Sequence, residues 1–239
     1  MKQSTIAILT GAKGGGKTHT AREIIALHPR VFALEPHGGE FDLRGRVSVR
    51  DTEAFFEAVE ANWKGHSFLI IYTPDYGIEA ASEEVARQAY DRGDALAIFD
   101  EAADYMSAGQ MGDEMGKLIR QSRHRNVNVV LASPRLADLN ANARTQADLW
   151  IVCGSIWTAR DLDVIEENTS IAFRRACQEP MAHGEFRRLA FDTRTREMVE
   201  PTKDKLRELF CVPKFIPTPV KTPVQATQQK SKSWWFVSR

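Results

Sequence analysis

Cysteine is scarce: Cys153, Cys177 and Cys211 are the only three in 239 residues, and no two form a Cys-x-x-Cys pair. This excludes a zinc framework built on paired cysteines and a disulfide scaffold; it suits a reducing compartment in which the thiols are small buried groups. Net charge is absent too. Lys plus Arg and Asp plus Glu number 32 each, so the whole molecule offers no field for indiscriminate binding of nucleic acid or acidic membrane, and any basic surface must be local. Long apolar runs are missing. Phe68–Tyr72 (FLIIY) falls far below the roughly 20 residues that cross a bilayer, and the apolar part of MKQSTIAILT is too short for a secretory leader. The expectation is a soluble, cytoplasmic protein.

What is present is a regular alternation. Short apolar runs bounded by turn residues occur at 5–10, 30–35, 67–73, 95–101 and 127–133, with a sixth at 149–155. Between them, 17–28, 51–63 and 81–92 carry apolar residues at helical spacing, the pattern of a mostly parallel α/β sheet flanked by helices. After 101 the glycines Gly109, Gly112 and Gly116 predict a mobile loop followed by a short helix ending near the arginines. Further on, 158–167 reads as helix, 172–201 as a hairpin and 202–210 as a last short helix. The domain expected from these is 1–211, with a core over 5–155 and an appendage over 156–211. From 212 onward the chain is rich in Pro and Thr, lacks any acid, and ends in an aromatic cluster, which is the composition of an extended tail.

Gly11, Ala12, Lys13, Gly14, Gly15, Gly16, Lys17, Thr18 and His19 follow the first apolar run and open a helical segment. The spacing Gly-x-x-x-x-Gly-Lys-Thr in that context predicts a phosphate-binding loop, because backbone without Cβ atoms can wrap an anion with its N–H groups. In this reading Lys17 bridges the β- and γ-phosphates of ATP and Thr18 is a ligand to Mg²⁺. Lys13 falls one place later than the extra lysine of partition-type ATPases, which disfavours that family. The apolar run at 95–101 ends in Asp100 and Glu101. An aspartate there can hold Mg²⁺, and a glutamate beside it can polarise the attacking water, so the pair predicts hydrolysis. Two runs between the glycine loop and this pair suggest the branch of P-loop ATPases with an inserted strand and a catalytic glutamate.

Downstream, Arg120, Arg123, His124 and Arg125 precede a strand ending in Ser133, and Arg144 precedes another. With the loop and acid pair, this arrangement over 5–155 resembles the FtsK-HerA group of DNA-translocating motors, in particular the genome-packaging ATPases of tailless, membrane-containing phages. The resemblance implies a homo-oligomeric ring that moves double-stranded DNA, located in the host cell and in the virion. It also implies a γ-phosphate sensor at Ser133, where the group often has Gln or Asn, and an arginine supplied to a neighbour's nucleotide, with Arg120 and Arg123 as candidates and Arg144 behind them. DNA contact is open among the loop 104–116 and the basic pairs Arg44 and Arg46, Arg174 and Arg175, and Arg187 and Arg188. In the tail, Trp234, Trp235 and Phe236 with Lys214, Lys221, Lys230, Lys232 and Arg239 suit docking on a capsid protein, a membrane vertex or another subunit; a disordered end is the alternative. Other functions left open are a filamentous-phage extrusion ATPase, a nucleotide-dependent assembly switch without sustained turnover, and a small-molecule kinase.

Overall fold

The computed structural model describes residues 4–212 except 42, 44, 108, 157 and 181–186. Arg44 and the predicted tail beyond 212 therefore lie outside the described residues. Nine strands form one sheet: β1 (Ile6–Thr10), β2 (Arg30–Leu34), β3 (Val47–Val49), β4 (Phe68–Tyr72), β5 (Ala95–Phe99), β6 (Val127–Ser133), β7 (Leu149–Cys153), β8 (Arg188–Asp192) and β9 (Glu197–Val199). Their spatial order is β3-β4-β2-β5-β6-β1-β7-β8-β9, parallel from β3 to β7, with β8 and β9 antiparallel. The helices are α1 (Lys17–Leu27), α2 (Thr52–Asn62), α3 (Ile78–Arg92), α4 (Asp113–Arg125), α5 (Ala141–Thr145), α6 (Ala159–Asn168), α7 (Ile171–Gln178) and α8 (Lys203–Leu209).

The central strands are continuous apolar runs because both faces of the sheet are covered. On one face Ile6, Ile8, Phe32, Leu34, Phe99 and Trp150 meet α2 to α7. On the other, Ala7, Leu9, Ala33, Ile98 and Ile151 meet α1 and α8, with Phe210 closing the seam. Each large apolar side chain fully buried in this way contributes roughly 1.5–3 kcal/mol. The α8 seam is tied by polar bonds as well: Thr5 Oγ1 donates to the Leu209 carbonyl at 2.5 Å and Asn128 Nδ2 to the Phe210 carbonyl at 3.0 Å.

Several expectations are corrected. Three strands, not two, separate the glycine loop from Asp100 along the chain, because the three-residue β3 is too short to register as a run. The strand inserted between β1 and β5 in space is β6. The interval after β5 is pinned at its start: a 3-10 turn (Ala102–Asp104) leads into buried Tyr105 and Met106, and Ser107 bridges to Leu139. The helix that follows has 13 residues, and its first N–H groups are capped from outside, the Glu83 carboxylate of α3 accepting from Glu114 N and Met115 N. The predicted hairpin begins as helix α7, capped by Ser170 accepting from Phe173 N at 3.1 Å; only its second half, β8 and β9, is a hairpin. Of the three thiols, Cys153 and Cys177 are buried and Cys211 is exposed.

Candidate functional site

The parallel strands bring their carboxyl ends to one edge of the sheet, where the glycine loop follows β1, Asp100 with Glu101 follows β5, and Ser133 ends β6. β1 runs out into Gly11, with φ 141°, and the loop closes through Gly15 N donating to Ala12 O at 2.9 Å before Gly16 opens α1. The glycines are small for two different reasons. A Cβ on Gly11 would lie 2.0 Å from the Cys153 carbonyl oxygen, and one on Gly15 2.5 Å from the same atom, so β7 braces the loop from beneath. Gly14, with φ 79°, has nothing within 4 Å and faces solvent, the space an anion needs. Lys17 Nζ donates to the Gly11 carbonyl at 2.7 Å and the Ala12 carbonyl at 3.4 Å, which holds the ammonium inside its own loop. Lys13 is exposed and makes no hydrogen bond among the described residues. His19 is on the outer turn of α1, paired with Glu23 at 3.3 Å.

Opposite the loop, Asp100 continues the β2–β5 pairing, its N–H donating to Leu34 O at 3.0 Å. Glu101 takes the left-handed conformation, φ 49°, a strained choice for a residue with a Cβ. Two further carboxylates, not singled out in the sequence, stand in the same place. Glu35 at the exit of β2 is buried, and Glu40 accepts from the Thr18 hydroxyl at 2.6 Å. Burial, and then the charges of Glu101, Glu40 and Glu35, push Asp100 up to about 6. The acid pair is thus within electrostatic reach of a carboxylate that touches the glycine loop's own threonine.

Such a site fits ATP with Mg²⁺. Glu40 stands against the Thr18 hydroxyl beside the glycine-rich loop, and its charge acts on Asp100, an arrangement a divalent cation would relieve. Among the described residues no three His, Cys, Asp or Glu side chains form a metal cage. Mg²⁺ does not require one, since it keeps waters and phosphate oxygens and takes one or two protein ligands.

The raised Asp100 carries a prediction. Its folded pKa lies above the unfolded value near 3.8, so the unfolded chain releases this proton first and stability from this group falls as pH rises from about 4 to about 6, then stays low. Asp100→Asn should raise the thermal midpoint of the metal-free protein at pH 7 and flatten that dependence, while weakening Mg·ATP binding. Thermal melts in EDTA across pH 4–8 check it; a variant that melts lower than the parent at pH 7 would contradict the assignment.

Ser133 ends β6 in register with Thr10 of β1, but its hydroxyl is committed to a local turn, donating to Arg135 O at 3.0 Å and accepting from Arg135 N at 3.2 Å. The arginines separate. Arg123 Nη2 donates to the buried Asp148 carboxylate at 2.5 Å, whose other oxygen accepts from Ile6 N at 3.0 Å, so Arg123 ties the end of α4 to the start of β1, at the edge away from Gly11. Arg120 is exposed, lies back over Gly116, and makes no hydrogen bond or ion pair among the described residues. Arg144 is half-buried with its Nε unpartnered. Of the basic pairs, Arg174 binds Glu166 and Asp163, Arg187 binds Glu179, Arg188 binds Glu23, and Arg46 donates to Ser48. Arg175 stays exposed. Among the described residues no helix is long and apolar enough to cross a membrane.

No protein-family model and no curated protein sequence matches the chain. Solved structures do. The genome packaging NTPase B204 from Sulfolobus turreted icosahedral virus 2, in complex with ATP-gammaS, aligns over 84% of this chain and 97% of its own at TM-score 0.65 and 17% identity. The same protein with AMPPCP aligns over 83% and 97% at TM-score 0.64 and 16% identity. B204, the DNA-packaging ATPase from Sulfolobus Turreted Icosahedral Virus, gives 83% and 97%, TM-score 0.62 and 18% identity. With the glycine loop at the end of β1 and β6 inserted before the acid-bearing β5, the chain has the fold of a P-loop NTPase and resembles the viral genome-packaging NTPases.

Proposed function

We propose that the protein is a Mg²⁺-dependent ATPase that works as a homo-oligomeric ring and drives double-stranded DNA, most simply a viral genome, into a capsid. What supports this reading is that the glycine loop after β1 and Asp100 and Glu101 after β5 follow the carboxyl ends of parallel strands at one edge of the sheet, in a fold whose structural neighbours include genome-packaging NTPases. The N–H groups of 12–18 and the Lys17 ammonium bind and orient the phosphates; Lys17 exchanges the Gly11 carbonyl for phosphate oxygens. Thr18 and Asp100 hold the cation. Mg²⁺ supplies neutralisation of charge on the phosphoryl oxygens. Glu101, past the end of β5, takes the proton of the attacking water.

Arg120 rather than Arg123 is the arginine offered to a neighbouring subunit, because Arg123 is engaged within its own chain. Extended grip on DNA phosphates would fall to exposed cations such as Arg175, and the tail to a capsid, membrane-vertex or subunit contact. Host cytoplasm and virion are the locations this work requires.

The test is the ATPase rate with and without double-stranded DNA, with native mass measured alongside. Stimulation in an oligomer is expected, and Arg120→Ala should lower that rate by about 10³-fold with ATP binding kept. Arg123→Ala should instead lower the thermal midpoint. A monomer indifferent to DNA would overturn the motor and favour a nucleotide-dependent switch.

A further inference from the structure

Glu40 is an exposed carboxylate whose place is fixed with unusual care. The chain leaves β2 at Leu34, turns through Gly38 and Gly39 with φ 68° and 84°, and is drawn back under α1 by Phe41, which is 1% exposed. Buried Glu35 gathers this turn: its carboxylate accepts from Phe41 N at 2.6 Å. From α1, Arg22 Nε donates to the Glu40 carbonyl at 2.6 Å. Backbone is thus held from both sides before the Glu40 side chain does anything. That side chain then accepts the Thr18 hydroxyl at 2.6 Å.

Holding the turn does not need this last bond. It sets a negative charge directly against the Thr18 hydroxyl. A hydroxyl has one proton to give and two lone pairs to offer. With the proton fixed on Glu40, the lone pairs of Thr18 are left for a cation, and the added charge that is costly in its absence becomes favourable in its presence.

We propose that Glu40 is a positioning residue of the Mg·nucleotide site: it fixes the Thr18 hydroxyl for the cation and adds a carboxylate to the cation's surroundings. The proposal rests on the reading of the glycine loop as a nucleotide site, and the test separates the two. ATPγS is titrated calorimetrically into the full-length parent, Glu40→Ala and Glu40→Gln, each in EDTA and in excess Mg²⁺, with the electron paramagnetic resonance of Mn²⁺ in the complex as a second readout. Mg²⁺ should tighten binding to the parent; Glu40→Ala should lose about 10-fold or more of that gain, and Glu40→Gln, which keeps an acceptor for the hydroxyl, should lose less. Affinity in EDTA should be unchanged or tighter in both variants. If the Mg²⁺-dependent gain is the same in all three, or if affinities with and without Mg²⁺ fall together, Glu40 is only part of the turn and the proposal is overturned. A parent that binds no ATPγS under either condition overturns the site itself, and the proposal with it.

Discussion

Glu101→Gln should bind ATP with Mg²⁺ about as well as the parent and turn it over roughly 10²–10⁴-fold more slowly. The exchange keeps size and one acceptor oxygen, and removes the negative charge and with it the ability to take a proton. Nothing in the fold depends on that ability: Glu101 sits past the end of β5, half-exposed, in a left-handed turn that its backbone adopts whatever the charge. Steady-state phosphate release and equilibrium nucleotide binding, measured on the same preparation, separate the two effects. Unchanged turnover would remove the general base from Glu101, and with it the link between the acid pair and hydrolysis. Lost binding would mean that the carboxylate holds the cation rather than the water.

The second large effect is on folding. Gly11→Ala must place a methyl 2.0 Å from the Cys153 carbonyl oxygen, in a backbone conformation that residues with a Cβ rarely adopt. Backbone strain and overpacking each cost about 1–3 kcal/mol, and here neither neighbour is a flexible side chain that can step aside. A destabilisation of about 3 kcal/mol or more, which is a fall of roughly 6–12 °C in the thermal midpoint for a chain of this size, is expected. Gly14→Ala is the control. It bears the positive φ but meets nothing within 4 Å, so it should melt much nearer the parent while losing nucleotide affinity. Equal melting of the two variants would mean that the contact with β7 does not hold the loop.

These two residues also mark what could be read in the sequence. Loop and acid pair were legible because each is a local pattern attached to a strand buried at every position: β1 and β5 are covered on both faces, so their apolar runs carry four and five residues in succession. Why Gly11 and Gly15 are glycine was only half legible. The space toward an anion follows from the motif, whereas the Cys153 carbonyl comes from a strand far along the chain, brought alongside by the parallel pairing of β1 with β7. Glu40 left no signal at all. Its tie to Thr18 spans 22 positions and depends on a turn organised by a buried carboxylate, which no periodicity records. Helix α7 was hidden by its charges. Phe173 and Cys177, four apart and the two buried residues of that helix, are the trace of helix in a stretch that reads as hairpin. Arg123 looked equivalent to Arg120 because sequence places both near the end of α4; only the fold sets Asp148 before one of them.

The polar and apolar closure of α8 over the α1 face bears on how far the protein can be pared down. Thr5, just before β1, and Asn128 on the adjacent β6, bonded to each other, both donate to carbonyls at 209 and 210, and Leu206, Leu209 and Phe210 are sealed against the sheet. A fragment trimmed back to Ser155 would keep every residue of the glycine loop and the acid pair, yet it would open the floor beneath them to water and leave β7 as a raw edge. The recognisable P-loop core is therefore shorter than the smallest piece that can be expected to stand alone.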